Sequence, residues 1–363
     1  DPVGPLRVSR RRQVIGKIGL ADEQRGHAGK LPFNSKPRLD AAGARCQTTG
    51  MTQTLADPRT VDDAAALLRA GKLCAFPTET VYGLGADATN ADAVLSIYET
   101  KGRPRFNPLI IHCADLAMAE QLAEFSALAR QVAALWPASL TLVLPARPGN
   151  GLADVATAGL DSVAIRIPDH PLALQLIAAV GRPLAAPSAN PSGKLSPTTA
   201  ERVRRGFGGR VPVLDGGPCR AGVESTILRV EGDRLVQLRA GAVSRAEIER
   251  RLGLVVSVAE KSAAVAAPGM LASHYAPNAL LRLNTEPRPG EAYLAFGATA
   301  AFDGAMRNLS PGGDLHEAAR NLFSMLHELD AEGTGMIAVA PIPDEGLGEA
   351  INDRLARAAA PRE

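Results

Sequence analysis

Three cations stand at alternate positions in Lys101-Gly-Arg-Pro-Arg105, and Phe106-Asn-Pro108 follows directly. Arginine offers a planar fork that matches phosphate oxygens, and lysine a compact charge. With two prolines stiffening the loop, Lys101 and Arg103 suit the anionic end of a polyphosphate. A solvated charged turn is the bland alternative; apolar neighbours and the immediate run into a strand weigh against it. Upstream, Phe76-Pro-Thr-Glu-Thr-Val-Tyr-Gly-Leu-Gly-Ala-Asp87 puts hydroxyls, Thr80 among them, in a glycine-punctuated turn. Ala185-Ala-Pro-Ser-Ala-Asn-Pro-Ser-Gly193 holds small residues, hydroxyls and an amide, and exposed N–H groups in such turns make anion nests. Gly222-Val-Glu-Ser-Thr-Ile227 repeats the theme at a strand entrance. His112 ends an apolar strand: it is either a satisfied core residue or a ligand group at the mouth of an open sheet. Arg166 lies inside the apolar run Val163-Ala-Ile-Arg-Ile167, where a charge is costly unless paired. It faces either a substrate carboxylate or a buried Asp or Glu.

Several chemistries lack their sequence signatures. There is no GxxxxGK[ST] and no GxGxxG, so neither a P-loop nor a dinucleotide fingerprint is present. No HExxH, Ser-His-Asp order or cysteine-nucleophile context stands out, and no cluster of protein ligands suggests a metal site. If a nucleoside triphosphate binds, Mg²⁺ comes with it, held largely by phosphates and water.

The elements that must position these residues follow from periodicity. Helices are expected at 61–70, 91–101 (capped by Asn90), 115–124, 126–135, 171–180, 198–205 (entered through Ser196-Pro197) and 244–252. Strands are expected at 72–76, 109–113, 140–144, 163–167, 183–187, 211–214, 225–230 and 235–238. The alternation indicates an α/β domain over 57–252. Residues 253–278 read as a linker. A smaller α/β unit over 279–358 has strands near 279–283, 292–296 and 336–340 and helices near 314–330 and 347–358.

Bulk properties bound the reading. The chain has 363 residues, enough for two domains. No apolar run approaches the roughly 18 residues of a membrane span. Four widely spaced cysteines form no CxxC pair, so a reducing, cytoplasmic setting is expected. The formal charge of +2 is uneven: residues 1–50 hold 10 Lys/Arg against 4 Asp/Glu, and the remainder 30 against 34. The body is therefore not a generally basic nucleic-acid binder. Residues 1–56 are expected to be a disordered leader or extension, with Met51 a plausible natural start. Asp22, Glu23 and Asp40 argue against an organelle-targeting leader.

Together these segments resemble the YrdC-like family in its long, two-domain threonylcarbamoyl-AMP synthase form. The resemblance rests on Pro77-Thr-Glu-Thr-Val-Tyr-Gly-Leu-Gly85, Lys101-Gly-Arg-Pro104 with Asn107-Pro-Leu109 and His112, and Thr157-Ala-Gly-Leu-Asp161 through Arg166. It continues through Ala186-Pro-Ser-Ala-Asn190 with Ser196-Pro197, Gly222-Val-Glu-Ser-Thr226, Pro268-Gly-Met270 with His274-Tyr-Ala-Pro277, and Ala350-Ile-Asn-Asp-Arg354. It covers about residues 57–358.

The resemblance implies a twisted mixed-sheet domain with a concave pocket and a smaller Rossmann-like domain. It implies a nucleotidyltransferase that converts L-threonine, bicarbonate and ATP, with Mg²⁺, to threonylcarbamoyl-adenylate and pyrophosphate. The product would feed the N6-threonylcarbamoyl modification of tRNA through a downstream transfer complex. By position, Thr80, His112, Arg166, Ala186 and Ser225 would hold threonine. Lys101, Arg103, Asn107, Ser162, Ser188, Asn190, Ser196, Arg239, His274 and Tyr275 would surround ATP, with Lys101 and Arg103 the catalytic cations. Two departures stand out: Pro137-Ala-Ser-Leu-Thr141 replaces the usual Pro-Gly-Pro-Leu-Thr, and Leu271-Ala-Ser273 replaces basic residues before His274.

Two other readings compete. A double-stranded RNA or tRNA-binding module without turnover would use a concave basic surface, which the body's charge disfavours beyond a weak tRNA contact. The carbamoyl-transfer enzyme of hydrogenase maturation shares the domain, but its paired CxxC motifs are missing.

Overall fold

The computed structural model describes residues 56–259 and 274–361. The leader over residues 1–55 and the linker residues Pro268-Gly-Met270 and Leu271-Ala-Ser273 lie outside the described residues.

The first sheet contains β1 (Cys74–Phe76), β2 (Gly83–Asp87), β3 (Ile110–His112), β4 (Leu140–Pro145), β5 (Ser162–Arg166), β6 (Leu184–Ala185), β7 (Thr226–Glu231), β8 (Arg234–Arg239) and β9 (Val256–Val258). Their spatial order is β1-β2-β6-β3-β5-β4-β7-β8-β9. The sheet is mixed: β3–β5, β4–β7 and β8–β9 are parallel, and the other pairs antiparallel. Around it lie α1 (Val61–Arg69), α2 (Ala91–Lys101), α3 (Leu116–Leu122), α4 (Ala127–Ala133), α5 (Asp154–Thr157), α6 (Pro171–Val180), α7 (Ala200–Phe207) and α8 (Arg245–Leu252). Several caps are legible in the sequence. Asn90 accepts from the amides of Asp92 and Ala93 at the start of α2, and Ser244 accepts from Glu247 at the start of α8.

The second sheet holds β10 (Leu280–Arg282), β11 (Ala292–Ala295), β12 (Met306–Asn308) and β13 (Met336–Val339), ordered β10-β13-β11-β12 and parallel throughout. Helices α9 (Leu315–Ala331) and α10 (Gly348–Ala359) pack on it. Its core, around Leu294, Phe323, Ile337 and Ile351, also takes in Val81, Leu195, Val223 and Tyr275. The two sheets therefore share buried apolar surface.

Five differences from the sequence reading have local causes. Gly83–Asp87 is a strand rather than a turn. Gly85 is required there, because a Cβ on it would lie 2.8 Å from Cε1 of Phe76. Residues 211–214 form no strand; Val213 makes a single bridge to Ala75. Helix α7 begins two residues later than expected because Thr199 caps it, accepting from the Arg202 amide, which leaves Ser196-Pro197 in the preceding loop. Strand β9 falls in what reads as linker, and β12 has too little apolar periodicity to be seen.

Candidate active site

Backbone register brings the first three groups together. His112 of β3 stands opposite Arg166 of β5, and Arg166 stands opposite Thr141 of β4. Residues on one rung project to one face, so an imidazole, a guanidinium and a hydroxyl share the same side of the sheet. The intervening residues Ile111, Ile165 and Leu142 turn to the main core on the other side. Ser225, just before β7, lies within 2.8 Å of the Thr141 hydroxyl. Arg239, ending β8, donates through Nη2 to the Ser225 carbonyl at 2.8 Å.

The Thr78–Tyr82 turn covers one end. The Thr78 hydroxyl donates to the Val81 carbonyl at 2.6 Å and lies 2.8 Å from the Thr80 hydroxyl. Arg166 reaches it from the sheet. Its Nη1 donates to Thr80 Oγ1 at 2.9 Å and its Nη2 to Glu79 Oε1 at 2.5 Å. Ser139 also donates to Glu79 Oε1, at 2.8 Å. Burial would raise the Glu79 pKa, but Arg166 outweighs it and holds the carboxyl below its ordinary value. Arg166 thus has a buried acidic partner and still lines the cavity, with Nε unpartnered among the described residues.

These groups face one cavity. Thr80, Arg103, His112, Arg166, Ala186, Ser188, Ser225, Arg239, His274 and Tyr275 all border it, so ten of the expected residues converge on one space. Its charged lining is three guanidiniums, of Arg103, Arg166 and Arg239, against one carboxylate, Glu224. Among the described residues, Arg103 donates only to backbone carbonyls, of Asn107 at 3.2 Å and Pro108 at 2.9 Å. Burial pulls its pKa down to about 10. Burial likewise pushes His112 down to about 3, helped by Arg166, so its ring is neutral at physiological pH. His274, also chiefly through burial, falls to about 3.

Four expected residues stand behind this wall rather than in it. Lys101 Nζ donates to the Ser188 carbonyl at 2.5 Å and to the Asn190 carbonyl, bracing the loop that carries Ser188. Burial, then the charge of Arg103, pulls this ammonium well below its ordinary pKa. Asn107 and Asn190 are buried with an unpartnered amide oxygen each among the described residues. Ser196 donates to Glu224 Oε1 at 2.5 Å. Ser162 is elsewhere. It starts β5 opposite Pro145, about 13 Å along the strand from Arg166 at ~3.3 Å per residue.

Sequence reasoning assigned no role to Glu79, Thr141, Glu224 or Arg354. The first signal was present: an arginine inside an apolar strand demands a buried acid. The rest are pairings across long sequence separation, with no local signature.

Comparison with known proteins agrees with this geometry. Residues 66–241 match the family described as "Telomere recombination", and residues 243–360 match "Threonylcarbamoyl-AMP synthase, C-terminal domain". The threonylcarbamoyl-AMP synthase of Bacillus subtilis is 41% identical over 84% of this chain and 94% of its own length. That of Pyrococcus abyssi is 42% identical over 81% and 92%. The crystal structure of P. abyssi Sua5 complexed with L-threonine superposes with a TM-score of 0.76 at 39% identity, covering 82% of this chain and 94% of that one. With both domains matched in order and nearly the full length of these relatives spanned, the chain belongs to the threonylcarbamoyl-AMP synthase family.

Proposed function

We propose that the protein joins L-threonine, bicarbonate and ATP into threonylcarbamoyl-adenylate, releasing pyrophosphate. The observation that carries this reading is the imbalance of charge in the cavity: three buried guanidiniums and one carboxylate, itself paired with Arg354. Glu79 answers Arg166 behind the wall, and the positive charge that faces the cavity suits an incoming anion.

The chemistry asks for positioning more than for a nucleophilic side chain. The threonine nitrogen bonds to the bicarbonate carbon with loss of water. A carbamate oxygen then bonds to the α-phosphorus, and pyrophosphate leaves. Arg166, Thr80, neutral His112 and Ser225 suit the amino acid, with Ala186 leaving room beside the backbone. Arg103, Arg239, Ser188, His274 and Tyr275 suit the nucleotide. Lys101, Asn107, Asn190 and Ser196 support that half from behind. Mg²⁺ accompanies the triphosphate: the nearby carboxylates of Glu79 and Glu224 are committed to arginines, so phosphate oxygens and water would hold the ion. The labile product would pass to a tRNA threonylcarbamoyl-transfer complex in the cytoplasm. No helix among the described residues is long and apolar enough to cross a membrane.

Pyrophosphate release from ATP, with bicarbonate and with or without L-threonine, tests the reading. Threonine-dependent release, lost when serine or valine replaces threonine, supports it. Release independent of threonine, or none from folded protein, overturns it.

A further inference from the structure

The second domain sends one side chain into the support of the first domain's site. Arg354 of α10 is 1% exposed. Its Nε donates to Glu224 Oε2 at 2.8 Å, and its Nη1 to the Ala240 carbonyl at 2.9 Å and to Asp353 at 2.7 Å. Its guanidinium carbon stands 5.3 Å from the ring centroid of Tyr275. Both Glu224 and Tyr275 line the cavity. The other Glu224 oxygen accepts from Ser196. A chain of contacts therefore runs from α10 through Glu224 to Ser196, and from α10 to the Tyr275 ring that lines the cavity.

We propose that Arg354 is a positioning residue for the nucleotide half of the site, acting by neutralising Glu224 and seating Tyr275. This rests on the proposed function. Without Arg354, Glu224 would be a buried carboxylate in the cavity wall, where the triphosphate must approach. Its repulsion would fall on the incoming anion. Burial would raise the Glu224 pKa, but Arg354 first and Arg239 next hold it below its ordinary value, so the group is charged when ATP binds. Arg354 is one of the buried links between the two domains at the cavity.

The test compares Arg354→Met, Arg354→Lys and the double variant Arg354→Met/Glu224→Gln with the wild type. Each is checked for folding by circular dichroism, then assayed for KM of ATP, KM of threonine and kcat. A non-hydrolysable ATP analogue is titrated in parallel. Arg354→Met is expected to raise the ATP KM and the analogue Kd at least tenfold and the threonine KM less than threefold. Glu224→Gln in the same chain should restore the ATP KM to within about threefold, because it removes the uncompensated charge. Arg354→Lys keeps charge and loses the fork, so its ATP KM should be intermediate. Unchanged ATP constants in a folded Arg354→Met overturn the proposal, as does a loss that Glu224→Gln does not restore. If Arg354→Met does not fold, wild-type ATP constants in Arg354→Lys overturn it instead. Failure of the wild type to bind the analogue would count against the proposed function itself, a separate result.

Discussion

At the scale of single residues, the site gathers three buried guanidiniums, of Arg103, Arg166 and Arg239, around one cavity. Arg103 is the clearest case, since among the described residues its bonds go only to carbonyls. A phosphate contact of this kind is worth roughly 1.5–3 kcal/mol. Arg103→Ala should therefore lower kcat/KM for ATP by about 10- to 150-fold, as read from initial rates of pyrophosphate release at limiting ATP. His112 gives a prediction about pH. Its pKa falls from 6.5 in the unfolded chain to about 3 in the folded one. The unfolded state therefore binds the extra proton below 6.5, and stability declines as pH falls from there towards 3. One histidine contributes a slope of about 1.4 kcal/mol per pH unit. Urea denaturation between pH 7 and pH 5 should show a steep loss, shallower by close to one proton in His112→Gln. Equal slopes would mean that the imidazole is not buried neutral. Ser139 shows how a departure from the family pattern is absorbed: where proline is usual, this chain places a hydroxyl that donates to the buried Glu79.

At the scale of elements, the site depends on strand register and on backbones that approach closely. The rung His112–Arg166–Thr141 exists because β3, β5 and β4 are neighbours. A slip of one residue would turn all three side chains into the core. Gly241 sets the neighbouring loop. A Cβ there would lie 2.2 Å from the Thr226 amide nitrogen and 2.5 Å from the Glu224 carbonyl oxygen. These are backbone atoms and cannot rotate away. Gly241→Ala should destabilise the protein by about 3 kcal/mol or more and raise the threonine KM by shifting Ser225. Unaltered urea midpoint and KM would show that the loop has slack. The sequence made the helices and most strands of this sheet legible, because caps and apolar runs are local signals. It hid β2, where two glycines read as turn punctuation while Gly85 is set by the Phe76 ring across the strand pair.

At the scale of the whole molecule, the two sheets are coupled through the cavity rather than joined at a distance. Tyr275 is buried against Phe323 of α9, with ring centroids 5.5 Å apart, and also lines the cavity. The Ala276 amide donates to the Gly193 carbonyl at 2.8 Å, tying the end of the linker to the Ser188 loop. Gly222 marks a close approach between the two domains. It has a φ of +76°, and a Cβ on it would lie 2.4 Å from the Ala319 carbonyl oxygen and 2.4 Å from the Arg320 Cα in α9. Only glycine suits both the backbone conformation and the space. Gly222→Val should loosen the docking of the second domain, and hydrogen exchange should rise in α9 and in residues 222–226 together. Exchange that rises in one and not the other would argue against a shared boundary.

The sequence by itself determined the chemistry of the parts: a cationic loop, hydroxyl-rich turns at strand ends, and an arginine that an apolar strand could not carry alone. It also determined most elements, since periodicity and caps act over a few residues. Tertiary structure alone decided which charges meet. Glu79 answers Arg166 across 87 residues, and Arg354 answers Glu224 across 130. It also separated residues that border the cavity from those that brace it, and set Ser162 apart from both. Ion pairing inside a protein depends on distance and exclusion of water, and neither is written in the local order of the chain.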